Sequence, residues 1–309
     1  MAWPKITIVG AGNVGATTAS LILLRDIANV VLIDVAEGIA KGKALDLMHM
    51  RSNEHFRSTV MGTGDYALTA KSDIVIVTAG VPRKPGMKRE DLLEINAGIV
   101  RDVLESALLA SPDALYIFVT NPLDTIMNLA ARISGLPYNR LMGMGGVLDT
   151  ARFTYAIAQE TGVSPELIKA IVVGAHGEAM VPLPRFSTVL GTPVTEILDE
   201  EALNRVIRTT IQGGAEVVRL LEAGSAFYAP ASSIVRMVEA ILNNSGELLS
   251  VCVHLNGEYG ITDTYMCVPV HLDSTGVRDV LELDLNTDEL KQLQNSAASI
   301  KAQIALVDE

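Results

Sequence analysis

The chain has only two cysteines, Cys252 and Cys267, in 309 residues. They form no C-x-x-C pair and have no partner histidine pattern, so neither a disulfide framework nor a zinc site is expected, and a reduced cytoplasm fits. Positive charge is scarce as well: 24 Lys and Arg against 36 Asp and Glu give a formal net charge of -12. A general nucleic-acid or anionic-membrane partner needs a positive face, so neither is expected. No apolar run reaches the ~18 residues of a membrane span, because charges or turn residues interrupt each one. The amino terminus, Met-Ala-Trp-Pro-Lys, enters the apolar run Ile6 to Val9 directly, which leaves no room for a signal peptide. What the chain does have is 49% apolar residues. At this length that is enough for sizeable cores in roughly two domains.

Short β-branched runs at Ile6 to Val9, Val30 to Ile33, Ile74 to Thr78 and Leu115 to Val119 read as strands. The stretches between and after them, Val14 to Leu24, Gly38 to Met50, Glu90 to Ala110 and Leu123 to Ile133, read as helices, the crossovers that parallel strands require. The alternation predicts an α/β fold with a doubly wound parallel sheet of Rossmann type over residues 1–143, followed by an α+β domain over residues 144–309.

The first strand runs into Gly10-Ala-Gly12-Asn-Val-Gly15, and the second ends at Asp34, nineteen residues after the last of these glycines. In this setting Gly10 permits the tight turn, Gly12 lets a pyrophosphate approach the backbone, and Gly15 lets helix and sheet close up. Asp34 suits the ribose hydroxyls and repels a 2′-phosphate, and Val35 and Ala36 supply no arginine, so NAD is favoured over NADP. Ligands of an open α/β sheet bind beyond the strand ends, where Thr78-Ala-Gly80 and Thr120-Asn121-Pro122 lie. The Asn121 amide can bond a carbonyl or the nicotinamide, although by itself a helix cap is the better reading.

Between Val81 and Arg89 a loop broken by Pro82, Pro85 and Gly86 carries Arg83, Lys84, Lys88 and Arg89, four cations in seven positions. Such a loop can close over a small anion, and its two arginines suit a dicarboxylate. Past the glycine-rich, flexible-looking junction at Gly143 to Gly146, Asp149 and Arg152 stand three apart and share one helical face. His176 lies between two glycines, Gly174-Ala-His176-Gly, just past a strand-like run; near neutrality it can both take and give a proton.

These motifs, in order and spacing, resemble the malate/lactate dehydrogenase superfamily over essentially the whole chain. The Asp-Leu-Met run after Lys43-Ala44 and Gly224-Ser-Ala-Phe-Tyr-Ala-Pro230 are similar to the bacterial, lactate-dehydrogenase-like branch of malate dehydrogenases. The resemblance implies malate and oxaloacetate as substrates, and a homo-oligomer, a tetramer ahead of a dimer. It implies His176 as proton acceptor and donor, Asp149 as its orienting carboxylate, Arg152 on the C1 carboxylate, Arg89 on the C2 oxygen and Asn121 near the nicotinamide. It also implies Arg83 on the second carboxylate, where lactate dehydrogenases typically carry glutamine. NAD would contact Gly10, Ala11, Gly12, Asn13, Val14, Gly15, Asp34, Thr78, Ala79, Gly80, Asn96, Val119, Thr120 and Asn121, and no metal is implied.

Lys88 departs from the family's usual small hydroxyl or acidic residue, and Met144, Gly145 and Gly146 read as a loose approach to Asp149. Met180 to Pro184 reads as the start of a connection, Val268 to Val270 as an edge strand, and Glu200 to Leu221, Ser232 to Leu242 and Asp288 to Leu306 as helices. Three other readings stay open. A lactate or other 2-hydroxyacid dehydrogenase shares everything but Arg83, and a non-catalytic NAD sensor has no use for His176. An NAD-dependent glycosidase needs a metal near cysteine and histidine, and Cys252 and Cys267 fall far along the chain from Asp149, Arg152 and His176.

Overall fold

The structure is a computed structural model that describes residues 3–81 and 89–305, apart from the side chains of Arg89 and Glu90. Arg83, Lys84 and Lys88 therefore lie outside the described residues, as does the side chain of Arg89. The first half runs β1 (Lys5–Val9), α1 (Asn13–Leu24), β2 (Asn29–Ile33), α2 (Glu37–His49), α3 (Arg51–Glu54), β3 (Val60–Thr63), β4 (Ile74–Val77), α4 (Arg89–Ala110), β5 (Leu115–Phe118), α5 (Leu123–Ser134) and β6 (Leu141–Gly143). Its strands pair in parallel in the order β3-β2-β1-β4-β5-β6. β1, β2, β4 and β5 are apolar runs rather than alternating ones because helices cover both faces of the sheet. Ile8 and Ile76 are fully buried, each such side chain contributing ~1.5–3 kcal/mol of burial energy.

The second half contains α6 (Gly146–Thr161), β7 (Ile168–Lys169), β8 (Val172–Gly174), β9 (Met180–Pro182), β10 (Thr188–Val189), β11 (Thr192–Pro193), α7 (Val194–Ile197), α8 (Glu200–Leu221), α9 (Tyr228–Leu242), β12 (Glu247–Asn256), β13 (Thr262–Asp273), β14 (Gly276–Val280) and α10 (Thr287–Ala305). Antiparallel β12 joins the parallel sheet at one residue pair, Cys252 opposite Gly143, so the sheet continues through β13, β8 and β9. β7, β10 and β11 form a separate small sheet.

Five points differ from expectation. Val268 to Val270 is not an edge but the buried middle of β13, with β12 on one side and β14 and β8 on the other. Pro269 is tolerated there because its carbonyl, and so its missing N–H, faces the side where β14 ends at Val280; that carbonyl accepts Leu281 N–H at 2.8 Å. The proline-bearing edge strand is β9, in the segment read as a connection: Pro182 stands opposite Val172 at the end of the sheet. β3 was not expected at all, and α9 starts at Tyr228 rather than Ser232. Finally, residues 143–146 are a tight crossing rather than a loose junction. Met144 is 3% exposed, and a Cβ on Gly146 would fall 2.1 Å from Ser250 Oγ.

Candidate active site

The glycine turn is built by close backbone approach. Gly10 has φ +105°, donates its N–H to Ile33 O at 2.8 Å, and a Cβ there would lie 2.8 Å from Ala79 N. A Cβ on Gly15 would lie 1.9 Å from Gly10 O, so α1 sits directly on the turn. Gly12 differs: it caps α1, and nothing lies within 4 Å of where its Cβ would be. That open cradle, at a helix amino terminus with no acidic residue in its first turn and no side-chain cap, fits a dinucleotide pyrophosphate. Asn13, Val14 and Gly15 open the helix. Asp34 is held in place by its own backbone neighbours: Oδ2 accepts Ala11 N–H at 2.7 Å and Oδ1 accepts Ala36 N–H at 2.9 Å. Lys43 Nζ donates to Ala11 O at 2.8 Å.

Opposite this cradle, the ends of β4 and β5 are cross-linked. Thr78 Oγ1 donates towards Val9 O and Gly10 O, both at 3.1 Å, and Thr120 Oγ1 donates to Ala79 O at 2.7 Å. Asn96, 1% exposed on α4, accepts Val81 N–H at 2.8 Å and donates to Asn121 O at 2.7 Å. It thereby fixes the loop after Gly80 to the loop after Val119. Sequence reasoning found Asn96 only through the family resemblance, since one asparagine within a helix has no local signature. The helix after Asn121 begins at Leu123 with Pro122 as its cap, so Asn121, which by itself reads as the helix cap, stands one residue before it.

Beyond these loops lies a chain of charged groups. Asp149 and Arg152 project from the first two turns of α6, and Asp149 is 1% exposed. Asp149 Oδ2 stands 2.8 Å from His176 Nδ1, while Oδ1 accepts Arg152 Nη1–H at 3.2 Å. His176 follows β8, between Gly174 (φ +93°) and Gly177 (φ +116°). Burial disfavours its imidazolium, but the charge and hydrogen bond of Asp149, with Asp124 adding, outweigh burial and hold His176 above its ordinary pKa. With Nδ1 engaged by Asp149, Nε2 is the atom left to exchange a proton.

Three contributors went unnoticed in the sequence. Gly213 and Gly214 of α8 form the surface under Arg152; a Cβ on Gly214 would meet Arg152 Nη2 at 3.3 Å. Adjacent glycines inside a long helix, each costing about 1 kcal/mol relative to alanine, were the available signal. The third is Asp124, in the first turn of α5, whose Oδ2 accepts the His176 backbone N–H at 2.9 Å.

The cysteines are also closer to the site than their chain positions suggest. Cys252 and Cys267 stand opposite each other on β12 and β13. Cys252 Sγ lies 3.5 Å from Asp124 Oδ1, and Cys267 Sγ accepts Gly146 N–H at 3.1 Å. Asp124 and the two thiols offer ligand atoms within 4.8 Å of one another. Burial pushes the Cys252 thiol well up; a hydrogen bond from Cys252 opposes the rise at Cys267, yet burial and the nearby carboxyls still raise it. Both are thus held as thiols.

The family described as lactate/malate dehydrogenase, NAD binding domain, matches residues 4–143, and its alpha/beta C-terminal domain matches residues 146–309. The chain belongs to the lactate/malate dehydrogenase family. Curated dehydrogenases of this family resemble it closely. It is 50% identical over 302 residues to the malate dehydrogenase of Roseiflexus castenholzii, covering 98% of both chains. It is 49% identical to that of Trichormus variabilis, covering 97% of this chain and 93% of the other. Among solved structures, the Salinibacter ruber malate dehydrogenase superposes with a TM-score of 0.94 at 42% identity, covering 98% of this chain and 97% of that one. A Cryptosporidium parvum lactate dehydrogenase, complexed with lactic acid and nicotinamide adenine dinucleotide, gives 0.97 at 37% identity, covering 100% and 99%.

Proposed function

We propose that this protein is a malate dehydrogenase that catalyses the reversible NAD-dependent oxidation of (S)-malate to oxaloacetate. The observation that carries the reading is the Arg152–Asp149–His176 chain centred on buried Asp149, in a protein whose 50% identical relative is a malate dehydrogenase. NAD, when bound, supplies the hydride acceptor, nicotinamide C4. His176 Nε2 takes the C2 hydroxyl proton as hydride leaves C2, and returns it in the reverse direction. Asp149 keeps the ring oriented and stabilises the imidazolium. Arg152 spends one of its five N–H donors on Asp149 and has others to grip the C1 carboxylate. Arg83 pairs with the C4 carboxylate, Arg89 polarises the C2 oxygen, and Asn121 assists from the nicotinamide side.

The glycine turn, Asp34, the Thr78 to Gly80 and Val119 to Asn121 segments and Asn96 hold the cofactor in this reading. The boundary between cofactor and substrate domains is put at residues 143/144, supported by the two family matches on either side of it. We read the protein as a cytoplasmic homo-oligomer, a tetramer ahead of a dimer. Exposed apolar side chains on α2, α8 and α9, among them Leu45, Leu220, Leu221 and Tyr228, support an assembly surface. No described helix is long and apolar enough to cross a membrane.

The test is reduction of oxaloacetate and of pyruvate with NADH and NADPH, with a His176→Asn variant in parallel. Strong preference for oxaloacetate and NADH, with collapse in the variant, is expected. Preference for pyruvate would make the protein a lactate dehydrogenase, and absence of turnover with either substrate would overturn the enzymatic reading.

A further inference from the structure

An aspartate in the first turn of a helix ordinarily serves the helix amino terminus and faces water. Asp124 does not: it is buried, with Oδ2 on the His176 backbone N–H at 2.9 Å and Oδ1 3.5 Å from Cys252 Sγ. His176 is therefore gripped by two carboxyls, Asp149 at the ring and Asp124 at the backbone. We propose that Asp124 is a positioning residue for proton transfer, fixing the backbone that carries His176 and supplying a second negative charge that favours its imidazolium. The titratable and charged groups facing this cluster are His176 after β8, Asp149 and Arg152 on α6, Cys252 on β12 and Cys267 on β13.

Their charges explain why a second carboxyl belongs there. With both carboxylates ionised, Arg152 and protonated His176 balance them. With a neutral imidazole the set carries one excess negative charge, and Asp124, which among the described residues accepts from one backbone N–H and one weak thiol donor, is the member that takes up a proton. Burial pushes the Asp124 carboxyl up to about 6, against the pull of His176 and with a smaller push from Asp149. Asp124 and His176 are thus a coupled pair, the charge on each favouring the charged form of the other.

The inference rests on His176 as the proton acceptor, so its test reads His176 without turnover. The rate of His176 carbethoxylation by diethyl pyrocarbonate, followed by mass spectrometry across pH, gives the ring's midpoint in the holoprotein chain as expressed. Asp124→Asn keeps an oxygen for the His176 N–H but removes the charge. It is expected to lower the midpoint by about one unit, a roughly tenfold change in the imidazolium-to-imidazole ratio. In kinetics, read as kcat in each direction at saturation, the same variant loses kcat for oxaloacetate reduction relative to kcat for malate oxidation above the midpoint, and the difference closes as pH falls below about 6, where the wild-type carboxyl is itself protonated. Cys252→Ala, which removes the thiol donor and leaves the carboxyl, shifts the midpoint the same way by less, and it decides the matter should Asp124→Asn not fold. An unmoved midpoint, or an equal fall in both directions at every pH, would overturn the role of Asp124. A shifted midpoint in a protein that turns over neither substrate counts against the reaction and not against Asp124.

Discussion

Two histidine–aspartate pairs make opposite use of the same chemistry. His271 and Asp279, on β13 and β14, stand 2.5 Å apart at the surface, with side chains 26% and 49% exposed. His176 and Asp149 stand 2.8 Å apart with side chains 14% and 1% exposed. Ranked by separation alone the surface pair comes first. What distinguishes the inner pair is its company: Arg152 on the other oxygen of Asp149, Asp124 on the His176 backbone, and glycines at positive φ on either side of the histidine. Beside the outer pair, the exposed Arg278 donates Nε–H to Asp279 at 2.9 Å. In the proposed reading, function follows from the ordered charge chain around buried Asp149 and not from the closeness of imidazole and carboxylate.

The comparison breaks most directly by exchanging the histidines. His176→Asn is expected to cut kcat for oxaloacetate reduction by ~10²–10⁴-fold, the usual worth of a general acid–base group. His271→Asn is expected to stay within about twofold, as surface substitutions generally do. Equal losses in steady-state assays would mean that the inner pair has no special role.

The next largest effect concerns substrate choice. Arg83→Gln is expected to lower oxaloacetate reduction by at least ~10²-fold relative to pyruvate reduction, because the wild-type guanidinium closed over a methyl group would be a desolvated, unpaired charge. A kcat/KM ratio that does not move would remove the basis for malate over lactate.

The nucleotide half was far more legible in the sequence than the catalytic half, for a physical reason. β1, α1, β2 and the glycine turn are contiguous, and each glycine has a local task that spacing reveals. The β12–β13 ladder, by contrast, joins segments through pairings that no short period encodes, and Pro269 disguised the middle of β13 as an edge. Asp124 meets Cys252 across 128 residues of chain, so a helix-start aspartate and a late cysteine carried no sign of each other. β3 was hidden by its brevity and by Gly62, which is glycine because a Cβ would fall 2.2 Å from Ala40 O. Asp149, Arg152 and His176 were visible as candidates because chemistry and family spacing coincide there.

Within that legible half, two glycines of one motif separate structure from binding. Gly15→Ala drives a Cβ to 1.9 Å from Gly10 O and is expected to cost about 3 kcal/mol, seen as a fall in Tm. Gly12→Ala meets nothing within 4 Å, so Tm is expected to hold while NADH binding, read by fluorescence titration, weakens. Loss of Tm in Gly12→Ala with binding intact would reverse these assignments.

The smallest effects return to the two pairs and differ in sign. Asp124, raised by burial to about 6, holds its proton more tightly when folded than when unfolded. Its contribution to stability is complete below the unfolded carboxyl pKa and is lost as pH rises to about 6, so wild type should lose about 2 kcal/mol relative to Asp124→Asn over that interval. Asp279 is held below the ordinary carboxylate range by the hydrogen bond from His271 and by Arg278. Its contribution is present above the unfolded carboxyl pKa and is lost as pH falls through its lowered folded value; exposure limits it to less than ~1 kcal/mol. Urea unfolding of both asparagine variants across acidic pH should therefore give slopes of opposite sign against wild type. Slopes of the same sign would mean that burial does not set the Asp124 carboxyl apart, and with that the contrast between the inner and outer pairs would reduce to Asp149 alone.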